Sequence, residues 1–273
     1  MNGNLASYSK FLKYYAGCFL FFHMVRMING LGLFQLGQPF IHEVRQDPLV
    51  WSLTHSGIPE LFAGTPWLSL TMDIVVIIPC LLILILKLSQ KSIIKLVVIH
   101  LILFAFYLLI IFAFPSLSVR KYLGLAIVPV VFLFTQEKSY AKAIKLLRFY
   151  VLFIFSSAAI WKILRGPVFE SDQFVNILRN QHLEHLVLFP NHITTHIANY
   201  LINHPGVAFT FYILIALWQL GFLVGFFTRK YDKILLLAMI VFILGDFLVM
   251  RVEYWEFIVF IPLFFFRRKK HIE

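Results

Sequence analysis

The sequence is short of charge, of cysteine and of every familiar nucleotide or nucleophile motif. Charged residues make up 14% of its 273 positions, where a soluble globular chain carries about a quarter. A large soluble domain with a solvated surface is therefore excluded. Acids are scarcer than bases, 13 against 24, and the net charge is +11. The bases fall in short clusters between apolar runs, which is a topology signal. A nucleic-acid face needs a contiguous basic surface, so nucleic acid is not a partner. The two cysteines, Cys18 and Cys80, lie far apart inside apolar runs and form no CxxC, so they read as small buried hydrophobes. There is no GxSxG, no P-loop and no GxGxxG after a strand. The opening MNGNLASYSKFLKYYAG lacks the usual cleavage-site pattern, so its first apolar run reads as a retained helix.

What the chain has instead is apolar length. Hydrophobic residues fill 60% of it, and phenylalanine alone takes 31 positions. A helix crosses a bilayer with about twenty apolar residues. Eight segments qualify: 11–34, 66–88, 92–114, 119–135, 143–165, 206–228, 231–250 and 253–267. The fourth and eighth are short. The runs are continuous, whereas a membrane barrel would alternate. The expected fold is an all-α, polytopic transmembrane bundle of about eight helices, forming one domain.

Lys and Arg set the orientation. With the N-terminus inside, the inner clusters are Lys10/Lys13, Lys87/Lys91/Lys95, Lys138/Lys142/Lys145/Arg148, Arg229/Lys230/Lys233 and RRKK at 267–270. The other side receives most acids, among them Glu43, Asp47, Glu60, Glu170, Asp172, Glu184, Glu253 and Glu256. Both termini are then cytoplasmic. Two long outer connections remain, 35–65 and 166–205. In the second, Ser171 or Asp172 is an N-cap candidate, followed by an amphipathic pattern of Phe174, Ile177, Leu178 and Leu183. Short helices at the outer surface are expected there, and such loops are where sites gather.

Ionisable groups inside a span are costly and face the bundle interior. His23, Arg26 and Asn29 share one face of the first helix. Asp73 is near the outer end of the second, Lys162 and Arg165 near that of the fifth. Gln219 is mid-span in the sixth, Asp246 one turn from the outer end of the seventh, and His100 is alone in the third. Two readings compete for Lys162 and Arg165. In one they snorkel to the interface while ion pairs join helices. In the other, Lys162 is desolvated in a polar outer-leaflet cavity and its neutral amine acts as a base. His182, Glu184, His185, His192, His196 and His204 crowd the second loop. His192 and His196 are i, i+4, but HLEH is not HExxH. They read as polar residues of an interfacial helix, and no metal site is assigned.

The run LLRFYVLFIFSSAAIWKIL, then WQLGFLVGFFTRKYDKILLLAMIVFILGDFLVM, then FIVFIPLFFF resembles the membrane domain of the vitamin K-dependent γ-carboxylase and its bacterial relatives, the horizontally transferred transmembrane (HTTM) superfamily. FFHMVRMINGLGLF is similar to that family's first helix. GFFTRKYDKILLLAMIVF also resembles DoxX-type membrane proteins, some of them linked to quinone chemistry, over part of the chain. The carboxylase resemblance implies that Lys162 is the base activated by hydroquinone oxidation, in a bacterial inner membrane. Three departures weigh against carboxylation of protein glutamate. Leu164-Arg165-Gly166-Pro167 replaces an acidic-Trp segment, Asp246 stands where the family has histidine, and the large soluble domain is missing.

Two functions follow as expectations. The first is a membrane enzyme or redox protein that takes a quinone, quinol, isoprenoid or other membrane lipid into a cavity between the first, second, fifth and seventh helices. Lys162 would be the base or electrostatic stabiliser, with Asp246 and Asp73 tuning it. His23 or Arg26 would position a ligand oxygen and Trp161 would pack on a flat ring, with Arg165 and Gln219 completing the ligand site. The second is a non-catalytic scaffold or partner subunit that docks an extracytoplasmic protein through its outer loops. A transporter would want paired broken helices and is the weaker third.

Overall fold

The computed structural model describes residues 2–36, 52, 55–112, 122–250 and 254–265. Among these residues there is no strand, and every element is helical. Six helices are long and apolar enough to cross a membrane: Tyr8–Gln35, Pro66–Ile85, Gln90–Ile111, Glu137–Leu164, Pro205–Phe227 and Asp232–Met250. The chain is thus an integral, multi-pass membrane protein by length and composition. The expected segments 119–135 and 253–267 contain shorter apolar helices, Gly124–Leu133 and Trp255–Phe265. The RRKK run, most of the first outer connection, and Glu43, Asp47 and Glu253 lie outside the described residues.

The helices are named in chain order: α1 Asn2–Ile28, α2 Ile58–Gly64, α3 Pro66–Val75, α4 Ile78–Ile85, α5 Gln90–Phe112, α6 Leu123–Ile127, α7 Glu137–Leu164, α8 Gln173–Leu188, α9 Ile193–Asn203, α10 Pro205–Leu220, α11 Val224–Phe227, α12 Asp232–Met250 and α13 Ile261–Phe265. Proline starts α3 and α10, where its missing N–H costs nothing and its fixed φ suits the first turn. The second span is broken between α3 and α4, just before Pro79. A proline ring cannot donate to the carbonyl one turn back, and it crowds that carbonyl. The longest helix, α7, contains neither glycine nor proline over its 28 residues. It ends where Gly166 turns with φ +86°, a left-handed conformation open to glycine without steric cost.

The chain divides into two compact units, residues 1–144 with 256–259, and residues 145–255 with 260–273. In the first unit α1 packs on α4 and on the 3₁₀ turn Val128–Leu133, and α4 packs on α5. Its centre is a column of buried rings, Tyr15, Phe19, Phe104, Tyr122 and Phe132. Tyr8 donates to the Phe132 carbonyl at 2.7 Å, and Tyr14 to that of Ile258 at 2.8 Å. In the second unit Phe155 stacks on Phe222 with centroids 4.6 Å apart and meets Phe242 edge-on.

The second outer connection folds as expected into two helices, α8 and α9, which pack on each other and on α10 and α12. Helix α8 starts directly after Asp172. Phe174, Val175 and Leu178 form its buried stripe, with Ile177 packed beside it. Leu183, expected in that stripe, is 66% exposed. The 3.6-residue turn carries position 183 to the opposite side, and His182 takes the inward place, its Nε2 donating to the Val249 carbonyl at 2.7 Å.

The spans' outward faces are themselves apolar. Phe21 on α1, Ile102 on α5, Phe153 on α7, Leu214 on α10 and Leu237 on α12 are all exposed. A water-soluble chain rarely exposes so many large apolar side chains, and a hydrocarbon surround makes it favourable.

Candidate functional site: an inward-turned lysine and a carboxylate-lined groove

The polar residues singled out in the sequence fall into two groups, each held within its own unit. In the first unit the network centres on Asp73, which is fully buried. Its Oδ1 accepts from the Leu33 N–H at 3.1 Å and from the Tyr107 hydroxyl at 2.7 Å, and its Oδ2 accepts from the Phe34 N–H at 3.1 Å. These donors hold the turn after α1 against α3 and α5. Gly32 leaves room for it, since a Cβ there would come within 3.3 Å of Asp73 Oδ2.

His23 bonds on both ring nitrogens. Nε2 lies 3.0 Å from the Asp73 backbone carbonyl and Nδ1 lies 2.8 Å from the Tyr122 hydroxyl. A carbonyl only accepts, so Nε2 carries the hydrogen, and in the neutral ring Nδ1 accepts from Tyr122. Arg26 places its guanidinium carbon 4.5 Å from the centre of the Tyr122 ring and donates to the Leu31 carbonyl at 3.1 Å. His100, alone in the sequence reading, meets the Tyr15 hydroxyl at 2.8 Å and lies 3.7 Å from Cys80 Sγ. Tyr15, Tyr107 and Tyr122 have no periodic or motif signal. Only a count of buried polar groups needing partners could have raised them.

The second group is built on α7, α10 and α12. Lys162 is half-buried and turned toward α10. Its Nζ donates to Gln219 Oε1 at 2.9 Å and lies 5.3 Å from the centre of the Tyr212 ring. Gln219 and Tyr212 sit two turns apart on one face of α10, and both are buried. Arg165, three residues on, takes the other course. Both it and Trp161 are exposed, and its guanidinium lies 4.3 Å over the indole. Of the two cations, one thus lies on an exposed ring and the other bonds to a neighbouring helix.

Asp246 faces Lys162 electrostatically and forms part of the wall of a hollow of about 220 Å³. The rest of that wall is apolar, with Phe211, Leu214 and Trp218 from α10 and Val241, Phe242 and Val249 from α12. A carboxyl group in such a wall calls for a donor or cation from whatever fills the space. The Trp218 indole N–H is tied to the Ala238 carbonyl at 3.2 Å, which fixes the floor.

Arg148 belongs to neither group. The sequence reading counts it with Lys138, Lys142 and Lys145 in one inner basic cluster. In the structure Arg148 is buried. It donates to the Gly225 carbonyl at 2.9 Å and is paired with Asp232, which Arg229 also meets at 3.3 Å. A planar fork of donors suits a helix start and the carbonyls of Gly225 and Thr228, the latter at 3.4 Å, at once.

The outer-loop histidines separate. His192 caps α9, its Nδ1 accepting from the Thr194 N–H, and His204 bonds to the Tyr200 carbonyl. The side chains of Glu184 and His185 lie outside the described residues. Among the described residues no three His, Cys, Asp or Glu side chains gather as metal ligands would. Comparison with protein-family models, with curated proteins and with solved structures returns no match.

Proposed function

We propose that this protein binds a quinone or similar lipid-type ligand from the outer leaflet beside Lys162, and that Lys162 acts on it as a base or electrostatic stabiliser. One observation carries the reading: the Lys162 amine is turned inward onto Gln219, and its charged neighbour Asp246 stands in the wall of an apolar hollow. An amine needed only as an anchor would lie as Arg165 does. A hydroxyl on the ligand donates its hydrogen bond to the neutral Lys162 amine, and Asp246 balances the charge of the ammonium that forms. The hydroxyl proton passes to the Lys162 amine, and the oxyanion left behind is held by the ammonium so formed. Gln219 accepts from the amine in either protonation state and keeps it aimed. The resemblance to the carboxylase-like HTTM proteins supports the role of Lys162, and the resemblance to DoxX-type proteins supports quinone chemistry. The Lys and Arg clusters support cytoplasmic termini, and the bacterial relatives support an inner membrane.

The test is mass spectrometry of small molecules that co-purify in mild detergent, parent beside Lys162→Ala. A quinone or isoprenoid lipid enriched with the parent and lost from the variant is expected. Bulk phospholipid alone, equal in both, overturns the reading. Lys162→Arg keeps charge without a usable neutral base, so the base role requires that it lose activity while still folding.

A second reading is favoured by the outer hairpin. Leu183, Val187, Phe189 and Ile193 are exposed on α8, α9 and their connection, a surface on which an extracytoplasmic partner protein could dock. It predicts tolerance of Lys162→Arg and sensitivity within 166–205.

A further inference from the structure

A second hollow, of about 370 Å³, lies beneath α9. His196, Ile197, Tyr200 and Leu201 of α9 line it, together with Phe211 of α10 and Val249 of α12. Phe211 and Val249 also line the hollow that holds Asp246. The two spaces therefore share one wall, and the pair of side chains between them is only half-buried.

The two compartments differ in chemistry. The one beside Asp246 has a carboxyl group in its wall and Lys162 behind it. The one under α9 presents carbon almost throughout, from Ile197, Leu201, Phe211 and Val249. Helix α9 is held in place beside it by the buried Thr194, Thr195 and Ala198. A small, purely polar ligand has no use for the second space. A ligand with a hydroxylated head and a long hydrocarbon tail uses both.

The geometry points to a single bipartite groove, with the head of the ligand at Asp246 and its tail passing between Phe211 and Val249 into the hollow beneath α9. The tail is an isoprenoid or alkyl chain, and α9 forms one wall of its groove. This rests on the proposed ligand site at Lys162 and adds which end of the ligand goes where. Binding then depends on tail length, because each methylene removed from water adds to affinity. Membrane partitioning also rewards a long tail, so the position of the tail must be read directly.

The experiment uses two benzoquinols with the same ring, one with a single isoprene unit and one with a long polyisoprenoid tail, each carrying a diazirine at the tail end. The full-length protein is held in lipid nanodiscs. On photolysis the long-tailed probe is expected to label residues 196–201, and excess unlabelled quinol is expected to abolish the labelling. In Ile197→Trp, which fills the tail compartment, the long-tailed quinol is expected to lose about tenfold in affinity relative to the short-tailed one. The parent labelling does not depend on how that variant folds. Competable labelling confined to the exposed faces of other helices overturns the tail assignment while leaving the Lys162 site standing. Labelling that excess quinol does not compete, for both probes, overturns the ligand site and the tail assignment together.

Discussion

The Lys162 amine reaches across from α7 to the side-chain oxygen of Gln219 on α10, at 2.9 Å. In a hydrocarbon surround that single bond joins two helices, and it positions the amine on which the proposed chemistry depends. Such interhelical bonds are worth about 0.6–2 kcal/mol in membranes. Gln219→Leu is expected to destabilise the protein by about that much, read as a lowered thermal unfolding midpoint in detergent. Adding Lys162→Met should cost less than the sum of the two single changes, because the pair then leaves nothing unsatisfied. Strict additivity would show that the bond contributes nothing.

Asp73 accepts three hydrogen bonds without exposing an oxygen. Asp73→Asn turns an NH₂ toward a backbone N–H and loses at least one of them. A cost of about 2–3 kcal/mol is expected. Tyr107→Phe removes one donor and leaves the carboxylate two, so its cost is expected to be smaller, about 1–2 kcal/mol. Denaturant unfolding in micelles ranks the two, and the reverse order would remove Asp73 from the centre of the network.

Asp232 faces one buried arginine and one exposed arginine. Arg229→Ala removes the exposed partner and should change stability by less than about 1 kcal/mol. Asp232→Ala strands the buried Arg148 cation and should cost about 3–5 kcal/mol. Equal effects would mean that the Arg148 pair is not desolvated.

A Cβ on Gly225 would come 2.6 Å from Leu152 Cδ2 and 2.8 Å from Leu235 Cδ1. Gly225→Ala is therefore expected to destabilise by about 1–3 kcal/mol through overpacking. Leu152→Ala in the same chain should recover part of that loss, whereas simple addition of the two penalties would place the strain elsewhere.

The membrane class and six of the long helices are legible in the sequence. The expected 206–228 and 231–250 lie within two residues of Pro205–Phe227 and Asp232–Met250. Apolar length and proline punctuation are local properties, so they survive without knowledge of packing. The break before Pro79 is local too, and a proline rule would have found it. What could not be read is which way a polar side chain turns. Lys162 and Arg165 look alike in sequence, yet one bonds inward and the other lies on an exposed indole. Arg148 stands in a run of bases in sequence and is buried in the structure, where its partners Gly225 and Asp232 come some eighty residues later. Asp73 and Lys162, which share a depth in the sequence reading, take their hydrogen bonds in separate units.

The bonds around Asp73 also bear on how the chain enters the membrane. An ionised carboxylate travelling into hydrocarbon alone is costly. Its first two donors, the amides of Leu33 and Phe34, precede it in synthesis, and its third, Tyr107, follows one span later. Insertion from the N-terminus therefore brings Asp73 to a turn already waiting with two donors, and the next span closes the shell. A change in span order, as in a circular permutant opening at α3, would send the carboxylate in first and unaccompanied. The placement of Asp73 thus ties the ease of assembly, and not the stability of the finished protein, to the order in which its helices are delivered.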